Sequence, residues 1–278
     1  MSPCPARNDL PPQPQPQVQD RWRRRFFDRP ENRTLWLRLF QAVDVTFCRI
    51  YHRLQLYSPC PVPLDGPAIL ACNHASGLDP PLLQSVVPRL IHFMADQELN
   101  DVPVANWVLR KLQSIPVPRT GGGASAIRAA LRMLEQGELL GLFPEGRIEY
   151  DRALLPFQTG VALLAIKGNA PVYPVYLDGT QRNTPSLLTA YFKPNRAVIA
   201  FGPPVQFDRG SVHKDALLAA TSAIQSAVQR LMDEVVGSGA VAIRMSRPHG
   251  RVDLFRRGSI ARRSARPARP TANVNGDS

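Results

Sequence analysis

Between Ala68 and Phe201, short apolar runs alternate with longer amphipathic ones, and this rhythm restricts the fold more than any other feature of the 278-residue sequence. The runs at 68–71, 91–94, 115–117, 139–143, 172–176 and 197–201 are too short for stable helices and read as buried strands. Between them, 80–87, 104–112, 124–136 and 160–167 show helical spacing, and 216–236 closes the series as a long helix. Repeated βα units predict an α/β fold: a single domain with a mixed, largely parallel sheet flanked by helices. Such sheets bind ligands outside the carboxyl ends of their strands, so functional residues are sought there.

The ends have a different composition. Pro11, Pro12, Pro14 and Pro16 stand among glutamines, and such a segment buries too little apolar area to offset its ordering entropy. Arg21-Trp22-Arg23-Arg24-Arg25-Phe26-Phe27 follows, a basic-aromatic cluster suited to an anionic lipid surface or to a solvated arm. From Leu35 to Leu56, Trp36, Leu39, Phe40, Val43, Phe47, Ile50 and Leu54 recur at helical steps, predicting an N-terminal amphipathic helix. Its apolar face either packs on the domain or lies in a membrane interface. The expected organisation is a disordered arm over 1–34, a domain over 35–238 with its motif core at 67–204, and a disordered Arg-rich tail over 239–278.

The formal charge is +12, but residues 1–35 contribute +3 and residues 239–278 contribute +7, leaving the core near neutral at +2. A folded nucleic-acid module would need its basic groove within the core, so no nucleic-acid partner is expected, whereas basic ends suit an anionic membrane surface. Arg38, Asp44 and Arg49 interrupt the most apolar window, and the N-terminus lacks a signal-peptide run, so peripheral attachment is expected rather than secretion or a membrane span. Cys4, Cys48, Cys60 and Cys72 form no C-x-x-C pair and read as reduced thiols; no metal site is expected.

Three segments carry chemistry. Asn73-His74-Ala75-Ser76-Gly77-Leu78-Asp79-Pro80 follows the 68–71 strand. On a helix, His74 and Asp79 would diverge by about 140°, so they meet only if the segment turns, which Ser76-Gly77 allows. Once together, Asp79 can hold one imidazole nitrogen protonated and free the other to take a proton from a hydroxyl. Taken separately, Asp79-Pro80 also reads as a helix start, and His74 as an ordinary loop histidine. Phe143-Pro144-Glu145-Gly146-Arg147 ends another strand in a turn with a carboxylate, a permissive glycine and a phosphate-matching guanidinium; solvated turn charges are the simpler alternative. Arg119 lies just past the 115–117 strand.

Together these segments resemble the glycerolipid acyltransferase family, specifically its 1-acyl-glycerol-3-phosphate (lysophosphatidic acid) acyltransferases. The resemblance runs from about Pro67 to Pro204, with NHASGLD, a second region ending in Ile115-Pro116-Val117-Pro118-Arg119, FPEGR, Leu155–Gly160 and Ala170–Val175 in family order. It implies direct acyl transfer, with His74 as general base oriented by Asp79. Arg119 and Glu145-Gly146-Arg147 would seat a phosphorylated lysophospholipid acceptor, and Pro171 would lie in a region associated with the acyl donor. Acyl-CoA or acyl-carrier protein would be the thioester co-substrate, with no cofactor and no metal, at the cytoplasmic face of a membrane. The chain departs from the family pattern at Asp96, where Lys is common, at Pro118, where Asp is common, and at Arg147-Ile148, where Thr-Arg is common. These departures keep open another lysophospholipid or an amino-acid lipid as acceptor, and a non-catalytic lipid-binding role.

Overall fold

The computed structural model describes residues 35–101, 103–119, 123–149, 153–180, 192–210 and 212–238. The arm expected over 1–34, with its basic-aromatic cluster, and the tail expected over 239–278 lie outside the described residues. In chain order the elements are α1 (Leu35–Ile50), β1 (Gln55–Leu56), β2 (Ala68–Cys72), α2 (Asp79–Gln84), β3 (Ile91–Asp96), a 3₁₀ turn (Gln97–Asp101), α3 (Pro103–Lys111), β4 (Ile115–Val117), α4 (Gly123–Glu135), β5 (Leu139–Leu142), α5 (Gly160–Gly168), β6 (Val172–Asp178), β7 (Val198–Phe201) and α6 (Lys214–Gly237).

The strands form one sheet in the order β1-β7-β6-β2-β5-β3-β4. All neighbours are parallel except β6 and β7, so the sheet is mixed and largely parallel, as the βα rhythm predicts. β2 sits at the centre, its five residues all buried. Ala68, Leu70 and Cys72 face one apolar layer with Leu82, Leu83 and Phe93. Ile69 and Ala71 face the other, against Ala130 and Leu134 of α4, Leu164 and Ala165 of α5, and Ile224 of α6. The period-two alternation of the strand thus distributes side chains between two helical layers.

Two elements differ from the sequence expectation. Gln55–Leu56, read as part of the first helix, is instead an edge strand paired to β7, and Arg53 reverses the chain before it with φ of 45°. α1 also presents an unexpected face. Leu39, Val43 and Ile50, expected on one apolar stripe, are 64%, 57% and 73% exposed, while Gln41, Asp44, Val45 and Cys48 are buried. The Gln41 amide donates to the Gln84 carbonyl at 2.9 Å, a polar contact with α2, and within α1 the Cys48 thiol meets Asp44 Oδ1 at 3.5 Å. Burial pushes the Asp44 carboxyl up to about 8, the Cys48 contact opposing it. No helix among the described residues is long and apolar enough to cross a membrane.

At the amino end of the sheet, the Arg89 guanidinium, 1% exposed, donates to the carbonyls of Gly66 at 2.7 Å and Gly137 at 2.6 Å, and to Pro63 at 3.3 Å. It joins the β1–β2 connection to the turn after α4. Arg89→Met keeps much of the side-chain volume but strips donors from three carbonyls, and is expected to cost about 2–4 kcal/mol. Urea denaturation measures it; a loss below about 1 kcal/mol would show that water satisfies the carbonyls instead.

Candidate active site

β2, β5, β3 and β4 are adjacent and parallel, so the loops leaving their carboxyl ends share one edge of the sheet. β2 delivers His74 there. Asn73, 6% exposed, uses its amide as a two-way bridge to the end of β6: Nδ2 donates to the Leu177 carbonyl at 2.9 Å and Oδ1 accepts the Leu177 N–H at 2.8 Å. The chain then turns, with the Asp79 N–H donating to the Ser76 carbonyl at 3.1 Å. Asp79 Oδ2 accepts from His74 Nδ1 at 2.9 Å, Ala75 N–H at 2.7 Å and Ser76 N–H at 2.8 Å. The turn that Ser76-Gly77 allows is therefore made, and Asp79 itself organises it. Asp79 opens α2, ahead of Pro80, but its carboxylate reaches back into the turn, and the N-cap position is Leu78, with no side-chain cap. Asp79 is fully buried and the His74 side chain is 18% exposed.

β5 delivers the second group. The Phe143 ring stacks on the His74 ring, with centroids 4.1 Å apart and planes 19° apart, and Phe93 of β3 stacks behind it at 5.9 Å and 7°. Gly141 makes room for this: a Cβ there would meet the Phe93 ring at 2.5 Å. The turn continues through Gly146, whose φ of 71° belongs to the left-handed region that glycine tolerates. Arg147 is exposed and makes no hydrogen bond or ion pair with the described residues.

Glu145 turns into the fold. It is 6% exposed, with Oε1 accepting the His74 N–H at 2.9 Å and Oε2 the Leu155 N–H at 3.2 Å. Its carboxylate faces the His74 turn rather than an open acceptor site, because the tight turn after β5 folds the side chain inward. Burial raises its affinity for a proton, and the two backbone N–H groups oppose that shift.

Arg119 follows β4 on the same edge, three strand spacings or about 14 Å from β2. Its guanidinium is engaged, Nε with Asp96 Oδ2 at 2.5 Å and Nη1 with Glu98 Oε2 at 2.9 Å. Partial burial works against Asp96 ionising, yet the Glu98 N–H and Arg119 together hold its carboxyl below the ordinary range. Pro171 is not brought to this edge. Its carbonyl accepts the Ile69 N–H at 3.0 Å at the amino end of β2, a strand length of about 16 Å from the His74 turn. Among the described residues no group of three or more His, Cys, Asp or Glu side chains is placed to hold a metal ion.

Sequence reasoning missed Asn73 and the Phe93–Phe143 stack as parts of the site. Asn73 stood beside His74 in the motif, which is the one signal that could have raised it. Phe93 lies far from His74 in sequence, and only the β5–β3 pairing joins them.

Comparison with known proteins agrees with this geometry. The model of the family described as Acyltransferase matches residues 53–178, the span from β1 to the end of β6. The 1-acyl-sn-glycerol-3-phosphate acyltransferase of Bacillus subtilis is 29% identical over 186 residues, covering 66% of this chain and 89% of that protein. The mouse 1-acyl-sn-glycerol-3-phosphate acyltransferase alpha is 28% identical, over 51% of each chain. Taffazin of Dictyostelium discoideum is 30% identical, over 44% of this chain and 48% of its own. The alignments thus span most of the bacterial protein and about half the length of the other two. In fold, the chain is similar to the crystal structure of the 1-acyl-sn-glycerophosphate acyltransferase of Thermotoga maritima, with a TM-score of 0.59, 23% identity, and coverage of 79% of this chain and 89% of that one. The matched span encloses both the His74–Asp79 turn and the loop that stacks on it, and together with these relatives it supports an acyltransferase of the lysophosphatidic acid acyltransferase type.

Proposed function

We propose that this chain transfers a fatty acyl group from an acyl thioester to the free hydroxyl of 1-acyl-glycerol 3-phosphate, giving phosphatidic acid. The observation that carries the reading is the 2.9 Å contact between His74 Nδ1 and Asp79 Oδ2. As a carboxylate that already takes two backbone N–H groups, Asp79 can only accept, so Nδ1 carries the proton and Nε2 is left basic.

His74 Nε2 takes the proton of the acceptor hydroxyl while the hydroxyl oxygen attacks the thioester carbonyl carbon. The C–O bond forms, the C–S bond breaks, and the thiolate recovers the proton from the imidazolium and leaves as a free thiol. Asp79 stabilises the positive imidazolium in between. A base of this kind supplies about 10²–10⁴-fold, so holding both substrates together contributes much of the remainder. The sequence requires neither metal nor redox cofactor for these steps. Acyl-CoA or acyl-carrier protein serves as donor.

The exposed Leu39, Val43 and Ile50 face of α1 supports peripheral attachment to the cytoplasmic face of a membrane, where the acceptor resides. In this reading the basic ends add attraction to anionic lipid, and nucleic acid is not a partner. Arg119 and Arg147 supply positive charge along the acceptor side of the edge. A second reading keeps the mechanism and changes the acceptor to another lysophospholipid or an amino-acid lipid. It is favoured by one observation, that Asp96 and Glu98 already share the Arg119 guanidinium.

The test is thiol release from a long-chain acyl-CoA, run across lysophospholipid acceptors with His74→Ala alongside. Release that depends on lysophosphatidic acid and falls by about 10²–10⁴-fold in the variant is expected. Residual activity near wild type in a folded variant removes His74 from the mechanism, and silence with both CoA and carrier-protein donors moves the chain to a non-catalytic lipid-binding role. Arg119→Ala is expected to raise KM for lysophosphatidic acid by about three- to tenfold with kcat little changed. An equal rise with an uncharged monoacylglycerol acceptor would count against a phosphate contact.

A further inference from the structure

Both backbone polar groups of His74 are held by the segment that follows β5. Its N–H donates to Glu145 Oε1 at 2.9 Å, and its carbonyl accepts the Glu149 N–H at 2.8 Å. The same segment braces itself: the Gly146 N–H donates to the Phe143 carbonyl at 3.0 Å, the Gln158 N–H to the Pro144 carbonyl at 2.8 Å, and the Leu155 N–H to Glu145 Oε2 at 3.2 Å. Phe143 then covers one face of the imidazole ring. Asp79 orients the ring, but nothing in the Asp79 contact alone fixes where the Cα of His74 sits.

We propose that Glu145 is a positioning residue for His74, acting through the His74 backbone N–H, and not a group that seats the acceptor. The inference rests on His74 being the base. Glu145 ties the loop after β2 to the far side of the loop after β5, one oxygen on each. Burial raises its affinity for a proton, and those two N–H groups oppose the shift. A carboxylate committed in this way has little reach toward a ligand at the rim. Losing it frees the His74 N–H while leaving the Glu149 bond to the His74 carbonyl and the Asp79 hydrogen bonds to the turn in place. A small shift of the base then slows proton transfer, while the groups that bind substrate stay where they were.

The experiment uses the full-length protein with a long-chain acyl-CoA and lysophosphatidic acid, comparing Glu145→Ala, Glu145→Gln and His74→Ala. Glu145→Ala is expected to lower kcat by about 10²-fold with acceptor KM within about twofold. Glu145→Gln keeps one acceptor oxygen and turns an amide donor toward the other N–H, so it is expected to recover about tenfold of that loss. Ethoxycarbonylation of His74 by diethyl pyrocarbonate, followed by peptide mass mapping without substrates, reads the ring directly and should change rate in Glu145→Ala. A tenfold rise in acceptor KM with kcat preserved would overturn the proposal in favour of acceptor seating, as would a collapsed kcat with unchanged His74 modification. Should Glu145→Ala fail to fold, the KM-against-kcat split and the modification rate of Glu145→Gln decide on the same terms. Full activity in His74→Ala removes the underlying mechanism, an outcome distinct from failure of the Glu145 assignment alone.

Discussion

The site is organised around one oxygen atom. Asp79 Oδ2 gathers three N–H donors, from the His74 ring and from the backbones of Ala75 and Ser76, inside a fully buried setting. Low surrounding polarity strengthens each of these charge-assisted bonds and would make an unpaired carboxylate there costly, so the turn and the ion specify one another. The negative charge also sits at the start of α2, where helix N–H groups favour it. One residue therefore closes the loop, opens the helix and aligns the His74 ring.

What surrounds that atom is supplied by the sheet. Parallel pairing of β2 with β5 and β6 places the ends of three chain segments side by side, and the neighbours of β2 on both sides clamp the His74 turn. Asn73 bonds both backbone groups of Leu177, Glu145 bonds the His74 N–H, and Phe143 covers the ring. The aromatic stack depends in turn on Gly141, whose missing side chain lets Phe93 lie across β5. Packing in the core and the pose of the His74 ring are thus linked by two contacts.

Charge at the rim follows a different rule from charge at the centre. Asp96, Glu98 and Arg119 are largely solvent-facing, and such a network shifts with salt and with a bound ligand at small cost. Changes in this rim network leave the hydrogen bonds of the buried turn untouched. α1 shows a related separation: Gln41 and Asp44 are buried on its inward face beside Val45 and Cys48, while Leu39, Val43 and Ile50 are left outward.

Local pattern determined much of this protein. Strand and helix rhythm, the largely parallel sheet and the carboxyl-edge position of NHASGLD and FPEGR were readable because burial on both faces, helical spacing and turn residues are short-range properties. The candidate pair was readable as residue types, and its closure was left conditional on a turn. Tertiary structure decided the rest. β1 is two residues long and exists only because β7 lies beside it, so no local signal marks it as a strand. The outward face of α1 depends on which residues meet α2, and apolar periodicity cannot tell a buried stripe from an exposed one. The inward turn of Glu145, the Asp96–Arg119 pairing and the distance of Pro171 from His74 all arise from strand register, which joins residues far apart in sequence and which composition and spacing do not encode.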